Sequence, residues 1–344
     1  MKTQSLASPG YWPTVAVIGC GAISEAFYLP ALSSYPEVLQ RLILVDSDAA
    51  RARKMGERFH VATRLTDYRD IIGSLDGAIV AVPHHLHYSI SKDLLAAGVH
   101  ILCEKPLTER AAEAKELIQL AERNGITLSV NHTRRLMPSS RKVKQLLVEE
   151  AIGNIHTIVY LDGTEFNWPT ASGFYFDSTL SAKGVLLDLG SHVFDLLCWW
   201  LGGKPKLVSS ENDSFGGCEA VASVLIEHKG CRCEIRLSRL SKLPNFYRIT
   251  GDRGYIEGGV YDWRSITVST VADKGKARRI NLRDGDSTNP ENGLIASFLS
   301  TIKNEGQPLV PAKDVLDSIE LLEEAYKKAR RFSLPWYDLQ GSHL

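Results

Sequence analysis

The chain has 344 residues, 44% of them apolar and 23% charged, the make-up of a soluble globular protein with length for two domains and ample core. Forty Lys and Arg balance forty Asp and Glu with no basic block, which argues against nucleic acid or an anionic membrane surface as partner. No apolar signal core opens the chain, its most apolar helix is interrupted by Asp188, His192 and Asp195, and its six cysteines form no CxxC pair; the expectation is a cytoplasmic protein with reduced thiols and no membrane span.

Residues 1–13 are a polar lead-in. Thr14–Gly19 reads as a strand, and Gly19-Cys20-Gly21-Ala22-Ile23-Ser24 turns it into a helix. This is G-x-G-x-x-G with Ser in the last place. Two glycines let the turn tighten and let the backbone approach a pyrophosphate on the helix N-terminus, and the third position needs only a small residue. A lone glycine turn is a weak signal. Its context is stronger: a second strand, Arg41–Asp46, ends in an acid 22 positions beyond Ser24, where a ribose-binding carboxylate belongs. Asp46 would accept from the ribose hydroxyls and repel a 2′-phosphate, favouring NAD over NADP, while Arg51 and Arg53 soften that preference. A plain cap for the helix over 49–59 fits the same position.

Alternation continues with a short helix at 67–72, the strand 77–82, and Pro83-His84-His85-Leu86-His87. The three histidines invite a metal reading, but no matching Cys or carboxylate ligands accompany them. No metal is assigned, and Pro83, His84 and His87 are read as a loop beside the nicotinamide ribose. A further helix ends near Ala97, and the apolar strand Ile101–Cys103 places Glu104, Lys105 and Pro106 at its carboxyl end, ahead of a helix over 108–124 and a strand over 126–130. Strand and helix at this spacing predict a doubly wound parallel sheet over residues 1–130, with ligands in the crevice outside the strands' carboxyl ends. A lysine buried there loses solvation, its pKa falls, and it becomes a proton donor or acceptor near neutral pH. A surface Glu–Lys pair is the bland alternative.

From 131 to 344 the pattern changes to a helix at 140–150 and then strands at 155–161, 207–210, 220–228, 231–239, 246–250, 265–271 and 278–282, with Lys229-Gly230 as a hairpin signal. This predicts a second domain of α+β type with a large open, mainly antiparallel sheet, closed by helices near 293–304 and 314–331, the last packing back on the first domain. Within Gly184–Leu201, Asp188 and His192 stand four apart on one helix face, with Asp195 three further on. A carboxylate one turn from an imidazole holds its tautomer and raises its basicity; a satisfied buried histidine is the alternative. Asp195 reads as structural.

Taken together, Gly19–Ser24, Glu104-Lys105-Pro106 and Asp188-x-Gly190-x-His192-x-x-Asp195, with Ala97-Gly98-x-His100 and Arg135-x-x-Pro138 around them, resemble the glucose–fructose oxidoreductase / inositol dehydrogenase / rhizopine-catabolism (Gfo/Idh/MocA) family over nearly the whole chain. The resemblance implies a Rossmann domain, an open-sheet second domain, NAD(P)-linked redox on sugars, cyclitols or their derivatives in a pocket between the domains, and homodimers or homotetramers through the sheet. It places Lys105, Asp188 and His192 on the family's catalytic triad and Pro106 where a cis peptide is common. Gly19, Gly21, Ala22, Ile23, Asp46, Pro83, His84, His87, Glu104 and Lys105 fall on cofactor positions. Ser24, His84 and Ala182-Lys183-Gly184 depart from the family pattern. Arg135, Trp168 and Tyr175 are candidate substrate contacts; solvent-facing, core or interface roles suit the same residues. A nucleotide-sugar oxidoreductase, or a non-catalytic sensor that binds NAD(P), are the rival readings.

Overall fold

The computed structural model of the chain describes residues 11–169, 183–214, 217–282 and 290–333. These divide into two compact units: residues 11–136 with 290–319, and most of 137–282 with 320–333.

The first unit is built on a six-stranded sheet in the order β3-β2-β1-β4-β5-β6, every pair parallel. Its strands are β1 Val15–Ile18, β2 Ile43–Val45, β3 Thr63–Leu65, β4 Gly77–Val80, β5 His100–Cys103 and β6 Leu128–Val130. β1 and β4 are buried along their whole length, as the uninterrupted apolar runs require of strands covered on both faces. Val15 and Val17 point to one face, among Leu294, Ile295 and Phe298; Ala16 and Ile18 point to the other, among Leu94, Ile101 and Leu117. The strand order reverses between β1 and β4, so the crevice outside their carboxyl ends is the ligand position for this topology. The segment at 67–72, expected as a helix, forms two short 3-10 turns, Tyr68–Asp70 and Ile72–Ser74.

The second unit carries nine strands in the order β14-β13-β12-β11-β7-β10-β9-β8-β15: β7 Ile155–Gly163, β8 Lys206–Asn212, β9 Val221–His228, β10 Cys231–Ser238, β11 Phe246–Gly251, β12 Gly254–Gly259, β13 Ser265–Thr270, β14 Arg278–Asn281 and β15 Arg330–Arg331. Pairing is antiparallel except β10 with β7 and β15 with β8. Lys229 and Gly230 both take positive φ between β9 and β10, the hairpin geometry their identities suggested. On β10, Cys231, Cys233, Ile235 and Leu237 are buried and Arg232, Glu234 and Arg236 exposed, so one sheet face covers the core and the other is open. The buried face packs on the helix Ser191–Leu201 through Val193, Phe194, Leu197 and Trp200. All six cysteines are free thiols. No described helix is long and apolar enough to cross a membrane.

Candidate active site

At the end of β1 the chain turns through Gly19, at φ +99, where an added Cβ would lie 2.3 Å from the Ala81 carbonyl oxygen. Only glycine fits. A Cβ on Gly21 would meet nothing within 4 Å, so this side of the turn leaves the space a pyrophosphate needs beside the backbone. Ser24, the departure from the glycine pattern, is buried and donates to the Gly19 carbonyl at 2.6 Å, closing the turn with its own hydroxyl. Ala22 and Ile23, half-buried, precede a π-helical turn over Ser24–Tyr28.

Asp46, just beyond β2, is buried. Its Oδ2 accepts from the Cys20 amide at 2.9 Å and its Oδ1 from the Asp48 amide at 2.9 Å. Arg51 lies across the same carboxylate at 3.1 and 3.2 Å. The carboxylate therefore braces the glycine turn, with the Arg51 guanidinium lying over it. Cap duty for the helix Ala49–Phe59 falls to Asp48, which accepts from Ala50 and Arg51, not to Asp46. Burial beside Asp46 pushes the Cys20 thiol up to about 12.

Beyond β5, Glu104 is buried, Lys105 half-buried, and the Lys105–Pro106 peptide is cis. Glu104 Oε1 accepts from the Tyr28 hydroxyl at 2.5 Å and from Asn131 Nδ2 at 2.7 Å; Oε2 accepts the Lys105 amide at 3.1 Å. Asn131 Nδ2 also donates to the Tyr28 oxygen at 2.8 Å. Burial, with Glu104 beside it, holds the Tyr28 phenol well above its usual pKa and keeps it a donor. Tyr28 and Asn131 are supports that the sequence reading missed. Asn131 follows β6 as Asp46 follows β2, so its place at a strand's carboxyl end was the available signal; Tyr28 sits among apolar neighbours and gave none. His84 is buried, Pro83 half-buried and His87 fully buried. These groups gather at the carboxyl ends of β1, β2, β4 and β5. Arg135 is also buried and donates through Nη2 to the Asp314 carbonyl at 2.9 Å.

The second unit holds Asp188, His192 and Asp195. Its helix does not run regularly from Gly184: a π-helical turn spans Leu186–Gly190 and the α-helix begins at Ser191. Asp188 thus sits on the π turn and His192 on the first α turn, both half-buried. Such turns recur at functional sites. Glu219, buried, accepts from the amides of Gly184 and Leu186, both at 2.9 Å, and from Tyr326 at 2.7 Å, placing a carboxylate at the helix N-terminus. Gly184 is required here because a Cβ would fall 1.9 Å from the Glu219 carbonyl oxygen. Asp188 Oδ2 pairs with Arg239 Nη2; Arg239 Nη1 reaches Thr164 at 3.2 Å and its guanidinium lies 5.6 Å from the Phe166 ring centre. Arg239 was not anticipated, since 51 residues separate the partners. Asp195 is buried and Trp168 is 37% exposed; Tyr175 lies outside the described residues.

Residues 14–132 match the oxidoreductase family with an NAD-binding Rossmann fold, and residues 140–257 match the Gfo/Idh/MocA C-terminal domain. The chain belongs to the Gfo/Idh/MocA oxidoreductase family. Among relatives, it is 29% identical over 201 residues to an uncharacterized oxidoreductase of Synechocystis, a match covering 57% of this chain and 53% of that protein. It is also 29% identical over 203 residues to scyllo-inositol 2-dehydrogenase (NADP(+)) of Bacillus subtilis, again covering 57% and 53%. The chain thus spans about half the length of these relatives. A 3-ketoreductase from Actinomadura kijaniata, solved with NADP and TDP-benzene, superposes with a TM-score of 0.81 over 93% of this chain and 99% of that one at 22% identity, a likeness of fold.

Proposed function

We propose that the chain is a nicotinamide-dependent dehydrogenase or reductase acting on a secondary alcohol or ketone of a sugar, cyclitol or sugar derivative. The observation that carries this reading is the rim of the parallel sheet, where the Gly19–Gly21 turn, the braced Asp46 and Glu104-Lys105 stand at the carboxyl ends of β1, β2 and β5. The open space at Gly21 suits a pyrophosphate, and Asp46 suits ribose hydroxyls. Gly19, Gly21, Ala22, Ile23 and Asp46 would hold the dinucleotide, with Pro83, His84, Glu104 and Lys105 toward its nicotinamide end and the enclosed His87 behind them. A bound nicotinamide supplies the acceptor or donor of hydride. NAD is the proposed partner, because the Asp46 carboxylate opposes a 2′-phosphate, with Arg51 tempering the preference.

In the oxidative direction His192 would take the hydroxyl proton, the carbinol hydrogen passing with its electron pair to a bound nicotinamide. Lys105 would donate a hydrogen bond to a substrate oxygen and stabilise negative charge developing there. Asp188, held by Arg239, keeps a fixed negative charge on the helix turn before His192. The reduced thiols suit a cytoplasmic location. Self-association through the open sheet face is supported by its surface, where Val159, Leu161 and Leu225, half-buried, alternate with exposed Arg232, Glu234 and Arg236.

A thermal-shift titration with NAD, NADH, NADP and NADPH tests the reading. Stabilisation grows as RT ln(1 + [L]/Kd), so roughly 100-fold saturation with NAD(H) should add about 2.7 kcal/mol. No shift with any of the four, in a chain whose denatured extract holds no nucleotide, would overturn it.

A further inference from the structure

His87 is enclosed by the first unit, with none of its surface exposed. Its Nδ1 lies 2.8 Å from the Pro106 carbonyl oxygen and its Nε2 lies 2.9 Å from the Val82 carbonyl oxygen. Both oxygens are acceptors and neither carries a proton. A neutral imidazole has one N–H, so it can satisfy one of them and must turn a nitrogen lone pair on the other at hydrogen-bond distance. The imidazolium satisfies both, through bonds stronger than neutral ones. Its surroundings are also acidic on balance. Glu104 and Glu109 are the carboxylates that act on it, and the other titratable ring beside it is His84, edge-on with centroids 5.6 Å apart.

We propose that His87 is a doubly donating imidazolium strut, tying the loop after β4 to the Lys105–Pro106 segment and so positioning Lys105. Val82 leads into Pro83 and His84, and Pro106 follows Lys105 directly. The ring therefore fixes the spacing between the two loops that carry the nicotinamide-side residues. The positioning role rests on the reading of Lys105 as the proton-handling group; the protonation state of the ring does not. Burial, the largest influence on His87, acts to lower its pKa, and the two carbonyls, Glu104 and Glu109 act to raise it; two acceptor oxygens at 2.8 and 2.9 Å on one ring favour the doubly protonated form against that burial. The two sides make opposite predictions for stability. A ring whose folded pKa is raised contributes stability at low pH that is lost as pH rises through that value. A ring held neutral by burial contributes stability that is lost as pH falls.

The first experiment is nitrogen NMR of the full chain with ring-labelled histidine, without cofactor. The His87 signals are identified by their loss in His87→Gln or, should that variant not fold, by substituting the other histidines in turn. Both ring nitrogens carrying protons at neutral pH is the expected result, and one bare nitrogen overturns the strut. Where His87→Gln folds, the melting-temperature advantage of the wild type over it should shrink as pH rises above the ordinary imidazole value of about 6.5; growth instead overturns the proposal. Positioning is read separately by acetic anhydride labelling and peptide mass spectrometry across pH. Labelling of Lys105 relative to exposed Lys54 should change several-fold at the pH where the ring loses its proton. A constant ratio would leave the ring state intact and overturn the positioning role, and neither outcome depends on a substrate being known.

Discussion

Gly19 and Gly21 stand two residues apart in one turn, yet an added methyl group should act on them in opposite ways. At Gly19 the new Cβ would be 2.3 Å from the Ala81 carbonyl oxygen, with 2.7 Å to its carbon, on backbone at φ +99. Relief requires β1 and β4 to part at the centre of the sheet. Overpacking of a rigid neighbour costs about 1–3 kcal/mol and left-handed strain in a non-glycine residue about 1–3 kcal/mol more. Gly19→Ala should therefore lose about 2–6 kcal/mol, a large part of the roughly 5–15 kcal/mol that keeps a domain folded. At Gly21 the methyl meets nothing within 4 Å and φ is not left-handed. Gly21→Ala should leave the fold as stable or stabilise it by up to about 1 kcal/mol through the unfolded chain. Its methyl would instead occupy the space proposed for the pyrophosphate. The assay is urea unfolding of wild type and both variants, followed by thermal-shift titration with NAD. A large fall in midpoint for Gly19→Ala, and an unchanged midpoint with lost NAD stabilisation for Gly21→Ala, are the expected results. Gly19→Ala as stable as wild type would refute the steric reading of the turn. Gly21→Ala with wild-type NAD stabilisation would refute the placing of the pyrophosphate.

Arg239→Ala leaves half-buried Asp188 without its guanidinium; side-chain exposures of 21% and 15% lie between the exposed and enclosed regimes, so urea unfolding should show a loss of about 1–3 kcal/mol, and no loss would mean the pair carries no weight. Arg51→Ala removes the cation lying on Asp46; thermal-shift titration should then show weaker NADP stabilisation relative to NAD, and an unchanged ratio would mean Arg51 does not meet the nucleotide. Cys20, buried and with its thiol pushed up to about 12, should resist iodoacetamide at pH about 8, where thiolate is the reactive form; half-buried Cys218 should label first by mass spectrometry, and early labelling of Cys20 would contradict its enclosure.

The parallel sheet was legible because β1, β4 and, after His100, β5 are apolar runs soon followed by glycine, proline or a carboxylate. Where that contrast fades, the reading failed. β3, Thr-Arg-Leu with two exposed residues, is a short edge strand with no apolar run. β12 was missed because Gly254, Gly258 and Gly259 look like loop; a Cβ on Gly258 would lie 2.2 Å from the Tyr247 hydroxyl and one on Gly254 2.0 Å from the Ser269 carbonyl, so these glycines are set by the neighbouring strands. The candidate groups of the rim were found by a general rule about strand ends, which needs no knowledge of distant partners. Their supports were not. Tyr28 and Glu104 are 76 residues apart, and Asn131 and Tyr28 are 103 apart, pairings that only tertiary packing creates. The π turn at Asp188 was equally invisible, since an extra residue in a helical turn leaves the apolar pattern of Leu186, Leu187 and Leu189 unchanged.

Turnover decides whether Lys105 and His192 handle the proton while hydride passes to or from nicotinamide, as proposed. Wild type, Lys105→Met and His192→Ala would be followed by NADH formation over a panel of sugars, cyclitols and sugar derivatives at alkaline pH, with NAD affinity measured in parallel. A positioned acid–base group contributes on the order of 10²–10⁴ in rate. Both variants should lose turnover by about that factor while binding NAD nearly as the wild type does. Wild-type rates in both would contradict the claim.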